Sequence, residues 1–216
     1  MIKALPIYQQ LYDRYGPQQW WPADTPFEMM IGAILTQNCS WLNVEKAISN
    51  LKAADILAAE EMLNASHEQL GELIRPAGFF NQKAATLQRF SRFYIDQGQL
   101  EGLKTETTAA LREELLAITG IGPETADSML LYGLERPIFV IDAYSRRIFS
   151  RLGVAEATIK YHELQQWFQQ QLTAELHLFQ EYHALIVQHA KAHCRAKPRC
   201  EGCPLQTSCI TAQQGI

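Results

Sequence analysis

The sequence predicts an all-α protein. Apolar residues recur at the helical interval along most of the chain: Leu164, Trp167, Phe168 and Leu172 form one stripe, and Phe179, Tyr182, Ile186 and Ala190 form another. The one run with strand character, Ile138-Phe139-Val140-Ile141, is too short and too isolated to build a sheet. Glycine and proline fall between the periodic stretches and form no tracts, which is the punctuation of short helices joined by turns.

Taken in order, the N-terminal MIKALPIYQQLYDRYG has helical spacing and no signal-peptide apolar block, so a cytosolic protein is expected. Helical windows follow over Phe27–Thr36, Leu42–Ala53, Gln82–Asp96, Thr108–Ile118, Thr125–Tyr132 and Tyr144–Leu152, giving an expectation of about ten helices. Breakers at Gly16-Pro17, Pro22, Pro26, Arg75-Pro76, Gly98, Gly120, Gly122 and Pro137 lie near plausible helix starts and stops. The longest apolar stretch, Met29–Leu35, has 7 residues, too few to cross a membrane. With 216 residues the chain suits one large or two small domains, and no Pro-, Gly- or Ser-rich linker divides it. Nineteen Lys and Arg against 23 Asp and Glu give a net charge of −4, which runs against the basic surplus that nucleic-acid partners usually demand. The charge is uneven, however. Basic residues gather at Arg146, Arg147 and Arg151 and between Lys191 and Arg199, away from carboxylates such as Glu60, Glu61, Glu113 and Glu114.

Four of the 5 cysteines occur as Cys194-x5-Cys200-x2-Cys203-x5-Cys209. In a reducing compartment such a group points to metal before disulfides, because thiolates are the soft ligands that iron and zinc prefer. Structural zinc typically pairs two close-spaced Cys knuckles and only Cys200 and Cys203 form one, so a [4Fe-4S] cluster is expected and zinc is the alternative. Lys191, Arg195, Lys197 and Arg199 surround Cys194; their charge offsets that of four thiolates and can also meet phosphates, unless the loop is simply solvated. Cys39 stands apart and reads as a packing residue.

Leu115 to Ala126 reads as helix, tight turn, helix. Gly120 and Gly122 leave the backbone bare and permit positive φ, Pro123 suits the first helical position, and Glu124 meets the positive end of the helix dipole. A bare turn at a helix N-terminus can take a phosphate without reading base identity. Eighteen residues beyond Glu124 stands Asp142, which reads as the N-cap of a helix starting near Ala143. Held at the end of an apolar segment, its carboxylate is also suited to stabilise an oxocarbenium-like sugar and help activate water.

In that combination the sequence resembles the endonuclease III, or HhH-GPD, superfamily of DNA base-excision glycosylases. The carriers are Leu35-Thr36-Gln37-Asn38, Gly78-Phe79-Phe80-Asn81-Gln82-Lys83-Ala84, Gly120-Ile121-Gly122, Val140-Ile141-Asp142 and the four-cysteine loop, which together span nearly the whole chain. The resemblance implies two helical domains with a DNA cleft between them: 1–24 with 137–216, holding an iron–sulfur loop at 194–209, and 25–136, a helical barrel holding a helix-hairpin-helix at about 109–133. It implies Asp142 as the catalytic aspartate and Gln37 as the residue that fills the gap left by an extruded nucleotide. Contacts to double-stranded DNA are expected from Gly120, Gly122, Thr125, Gln37, Asn38, Lys197 and Arg199, in a monomer.

Two departures bear on activity. Bifunctional members carry a lysine eighteen residues before the aspartate, where this chain has Glu124; a carboxylate cannot form a Schiff base, so weak or absent AP lyase activity is expected. The first cysteine gap is one residue shorter than in the usual family loop. Gln19-Trp20-Trp21-Pro22 and Trp41 flank one apolar helix, and indole faces suit the positive charge of alkylated purines such as 3-methyladenine. Trp20, Trp21 and Trp41 are therefore the expected base pocket, with core packing as the other reading. Together with Arg75-Pro76-Ala77-Gly78 these residues are similar to the bacterial 3-methyladenine DNA glycosylase branch. The expected activity is a monofunctional glycosylase acting on an alkylated purine. The rivals are an endonuclease III-like glycosylase and AP lyase acting on oxidised pyrimidines, and a non-catalytic DNA-binding or redox-sensing module.

Overall fold

The structure is a computed structural model that describes residues 2–215. Among those residues there are thirteen α-helices and no strand. They are α1 (Ala4–Tyr15), α2 (Pro26–Leu35), α3 (Trp41–Ala53), α4 (Ala59–Asn64), α5 (His67–Leu73), α6 (Phe80–Asp96), α7 (Gln99–Thr105), α8 (Thr108–Ala117), α9 (Pro123–Ser128), α10 (Ala143–Arg151), α11 (Tyr161–Gln171), α12 (Leu176–Ala192) and α13 (Ile210–Gln213). Short 3-10 turns occur at Arg75–Ala77 and Gln206–Ser208, and a π-helical turn at Met129–Gly133. No helix among the described residues is long and apolar enough to cross a membrane.

The chain forms two compact units, Trp21–Arg136 and the discontinuous pair Met1–Trp20 with Pro137–Ile216. In the Trp21–Arg136 unit, α2 is the central helix. Thr25 caps it by accepting from Glu28 N at 3.1 Å and Pro26 opens it. Every residue from Phe27 to Leu35 is buried; all are apolar except Glu28, which pairs with Lys52 at 2.8 Å. Phe27 packs with Phe90 and Tyr94 of α6. Lys83, on the buried face of α6, donates to Leu35 O and Ala77 O, both at 2.8 Å, and so closes the C-terminal end of α2 and the 3-10 turn. Burial pushes the Lys83 amine below the usual lysine range.

In the other unit the core is aromatic. Phe139 stacks on Phe168 at 4.0 Å, and Phe149, Phe179 and Tyr182 close around them. Tyr182 donates to Ala4 O at 2.8 Å, tying α12 to α1. The strand-like run at 138–141 is buried coil, because side chains satisfy its backbone in place of a partner strand. Phe139 N donates to Gln169 Oε1 at 3.0 Å, Phe139 O accepts from Gln165 Nε2 at 2.7 Å, and Ile141 N donates to Tyr161 Oη at 3.3 Å.

About ten helices were expected and thirteen are found among the described residues, with α4, α5 and α7 outside the expected windows; two expected helices also differ in their bounds by more than one residue. α6 begins at Phe80, two residues early, because Phe79 adopts a left-handed φ of 46° and starts it. The helix expected over Thr125–Tyr132 stays α-helical only to Ser128 and then widens into the π turn. Gly133 lets that turn press against α2: a Cβ there would stand 2.8 Å from Met30 Cε and 3.2 Å from Met29 Sδ.

Candidate functional site

The hairpin of the Trp21–Arg136 unit is α8, the turn at 118–122 and α9. Its two helices are joined by Arg112, which grips Asp127 through Nε at 2.6 Å and Nη2 at 3.1 Å; Asp127 has no exposed surface. Gly120 has φ 102°, and a Cβ on it would lie 2.1 Å from Thr86 Oγ1, so this glycine is required by both conformation and space. Gly122 differs from expectation. Its φ of −98° is open to any residue, and nothing in the protein lies within 4 Å of a Cβ built there. Its bareness therefore serves something outside the chain or nothing at all. Gly120→Ala should cost about 2–4 kcal/mol from φ strain and overpacking together, read as a lowered Tm.

Gln37 is tied to this turn. Its Nε2 donates to Gly120 O and to Thr125 Oγ1, both at 2.9 Å, so filling a vacated nucleotide site would require it to release both. Beside it, Asn38 is exposed in a left-handed conformation with φ 51°. A recess of about 190 Å³ opens here, lined by Gln37, Asn38, Phe79, Lys83, Thr86 and Gly120. Phe79 is 62% exposed and conformationally strained at its rim. In the sequence Phe79 is marked only by its place after Gly78 in the stretch Gly78 to Ala84.

Trp21 and Trp41 meet, as do Trp21 and Tyr132, with ring centroids at 5.3 and 5.5 Å. The two indoles stand at 88°, an edge-to-face corner and not the parallel sandwich that two flanking tryptophans would make. Trp41 Nε1 donates to Glu45 Oε1 at 2.8 Å. Tyr132 carries no signal of this in the sequence, because the π turn that aims it leaves no mark in a 3.6-residue period. Trp20 falls in the other unit.

In the discontinuous unit, Asp142 is 6% exposed and caps α10. Its Oδ1 accepts from Ser145 N at 2.6 Å and from Ser145 Oγ at 2.7 Å, and Ser145 Oγ in turn accepts from Asp142 N at 3.4 Å. Its Oδ2 faces His183 Nε2 at 3.8 Å.

Cys194, Cys200, Cys203 and Cys209 line one recess whose walls include Ile148, Leu152, Pro198 and Leu205. Among the described residues no three His, Cys, Asp or Glu side chains are gathered closely enough to hold a single metal ion. The four thiols nonetheless act on one another: burial first, and then the charges of Cys194, Cys209 and Cys200, push the Cys203 thiol up. Arg147 and Arg151 are spent inside this loop and not on an open basic face. Arg147 Nε donates to Cys194 O at 2.8 Å; Arg151 Nη1 donates to Cys194 Sγ at 3.2 Å and to Arg195 O at 2.7 Å, and its Nη2 to Ala196 O at 2.8 Å. Lys197 and Arg199 remain exposed.

The family model for HhH-GPD superfamily base excision DNA repair proteins matches residues 31–173. The chain belongs to the HhH-GPD superfamily. It is a base excision DNA repair glycosylase of that family, of the endonuclease III-like kind. It is 50% identical to a candidate DNA repair glycosylase of Methanocaldococcus jannaschii, over 95% of this chain and 94% of that one. It is 30% identical to endonuclease III of Sulfolobus acidocaldarius, over 85% and 81%. Among solved structures, a Helicobacter pylori 3-methyladenine DNA glycosylase (MagIII) bound to 1,N6-ethenoadenine shares 31% identity with a TM-score of 0.77, covering 88% of this chain and 98% of that one. A non-covalent endonuclease III–DNA complex superimposes over 100% and 99% with a TM-score of 0.84 at 21% identity, a likeness of fold.

Proposed function

We propose that this HhH-GPD protein is a monofunctional DNA glycosylase that extrudes an alkylated purine from double-stranded DNA and hydrolyses its N-glycosidic bond. The observation that carries this reading is the aromatic corner of Trp21, Trp41 and Tyr132. A flat cationic base gains from an indole face without needing a hydrogen-bonding partner for every edge. The solved relative that holds an ethenoadenine base supports the same substrate class. Asp142 would meet the positive charge that develops on the sugar, while the hairpin turn, Asn38, Lys197 and Arg199 would contact the backbone of the duplex. Duplexes carrying 3-methyladenine should lose that base. Release of oxidised pyrimidines alone would favour the endonuclease III-like activity, and no release from any lesion would favour a binding module.

Glu124 stands at the second position of α9, exposed at the helix start, where its charge is favourable. Glu124→Lys costs about 0.3–1 kcal/mol of that interaction and supplies an amine, so borohydride should trap a covalent DNA adduct with the variant and none with the parent.

The four cysteines line one recess, and we read Cys194, Cys200, Cys203 and Cys209 as the ligands of a [4Fe-4S] cluster, with Arg151 donating to the first. When bound, the cluster would cross-brace a loop that has almost no regular structure of its own. The protein should purify brown with about four irons per chain. A colourless protein holding one zinc would replace the cluster with the alternative metal.

A further inference from the structure

The buried polar side chains of α12 include Glu181, His183 and His189. Two of them serve the N-terminal segment: Glu181 accepts from Gln18 N at 2.6 Å, and His189 meets Tyr15 Oη at 2.9 Å. His183 serves a different neighbour. It faces the start of α10, with Nε2 3.8 Å from Asp142 Oδ2 and with side-chain exposures of 7% and 9% for the two residues.

Asp142 thus divides its oxygens. Oδ1 is committed to the helix start by two short hydrogen bonds from Ser145, and Oδ2 is left against an imidazole. A separation of 3.8 Å exceeds hydrogen-bond length, so the present contact is electrostatic and steric. Less than 1 Å of approach would make it a hydrogen bond, and catalytic hydrogen bonds commonly tighten when the transition state forms. The residue type matters. A lysine or arginine here would cancel the carboxylate's charge, and an apolar side chain would bury Oδ2 with no polar partner. A neutral imidazole N–H meets the oxygen and leaves the charge in place. Burial favours that neutral form, pushing His183 below the ordinary imidazole range, while the Asp142 carboxylate pulls it back up.

We propose that His183 is the positioning residue of the glycosylase centre: a neutral imidazole that fixes Oδ2 of Asp142 and leaves the pair with one negative charge to set against the developing sugar cation. The proposal rests on reading Asp142 as the catalytic carboxylate.

The test is single-turnover excision from duplexes carrying 3-methyladenine, 1,N6-ethenoadenine or an oxidised pyrimidine. Affinity is read separately on a duplex with an abasic site, and folding by thermal melts. His183→Phe should slow excision roughly 10- to 100-fold, the scale of a misplaced catalytic group, with affinity changed by less than about twofold. His183→Gln keeps an N–H near Oδ2 and should recover most of the rate. His183→Phe in an Asp142→Asn background should cost nothing further, because the two act as a unit. In the unmodified protein at neutral pH, the His183 nitrogen resonances should be those of a neutral ring with its proton on Nε2, and Asp142→Asn should move them. A wild-type rate for His183→Phe, equal losses for Phe and Gln, or an imidazolium signal overturns the proposal. Full activity in Asp142→Asn, or no base released from any of the three duplexes, removes the underlying reading instead. The parent and Asp142→Asn arms expose that outcome before any His183 variant is compared.

Discussion

Asp142→Asn is expected to reduce base release about 10³-fold or more while the protein folds normally and binds duplex DNA at least as tightly as before. The geometry separates the capping of α10 from the chemical role proposed for this residue. Its capping duty is performed by Oδ1, which accepts from Ser145 N and Ser145 Oγ. Asparagine is as good an N-cap as aspartate and presents the same oxygen, so α10 should start where it does now. The chemical role proposed for it needs the negative charge, which asparagine lacks. Loss of a glycosidic bond builds positive charge on the sugar, and a carboxylate in a site largely closed to water opposes that charge far more strongly than one in solvent. Removing one carboxylate also lessens repulsion of phosphates, so affinity should hold or rise. Asp142→Ala tests the division from the other side: it should lose activity equally and also about 1 kcal/mol of helix-capping stability. Measured excision rates, duplex Kd and Tm distinguish the two variants. An active Asp142→Asn protein would leave Asp142 as a cap alone.

The helical fold was legible because the signals are local. Pro26 ahead of the apolar stretch Met29–Leu35 marks α2, and the helix after Asp142 begins where a capping residue says it should. The glycine turn was legible for the same reason, though only Gly120 needs its glycine for φ. What spacing could not convey is where side chains spend their hydrogen bonds. Arg147 and Arg151 look like an open basic patch in the sequence, yet both guanidinium groups are engaged with the cysteine loop across more than forty residues of chain. Tryptophan neighbours mislead in the same way. Trp20 and Trp21 adjoin in sequence and belong to different units, while Tyr132 joins Trp21 through a π turn whose register no helical period anticipates. His183 adjoins the apolar stripe of Phe179, Tyr182, Ile186 and Ala190 and carries no signal of its own, and only the fold sets it beside Asp142.

Arg112→Met should be the most destabilising single change in the hairpin. Asp127 is wholly buried on α9, and the Arg112 guanidinium from α8 meets both of its oxygens in a fork. Methionine fills much of the volume of the arginine stem but leaves a carboxylate in the interior without its guanidinium. Breaking one side of a buried pair in this way costs about 3–5 kcal/mol, since the desolvation already suffered by the remaining charge is no longer offset. For a chain of this size that corresponds to a Tm lowered by roughly 6–20 °C. The pair as a whole need not be worth that much. Two charges withdrawn from water start from a large deficit, and an apolar pair of similar volume often does as well. Arg112→Met combined with Asp127→Leu should therefore recover a large part of the loss, and a double variant less stable than Arg112→Met alone would refute this account. Function should not recover with stability to the same extent. The ion pair fixes the direction of α9 relative to α8, and the turn between them holds Gly120, whose carbonyl and neighbouring Thr125 anchor Gln37. Apolar side chains can restore burial without restoring that register, so duplex affinity should stay below that of the parent even where the Tm returns.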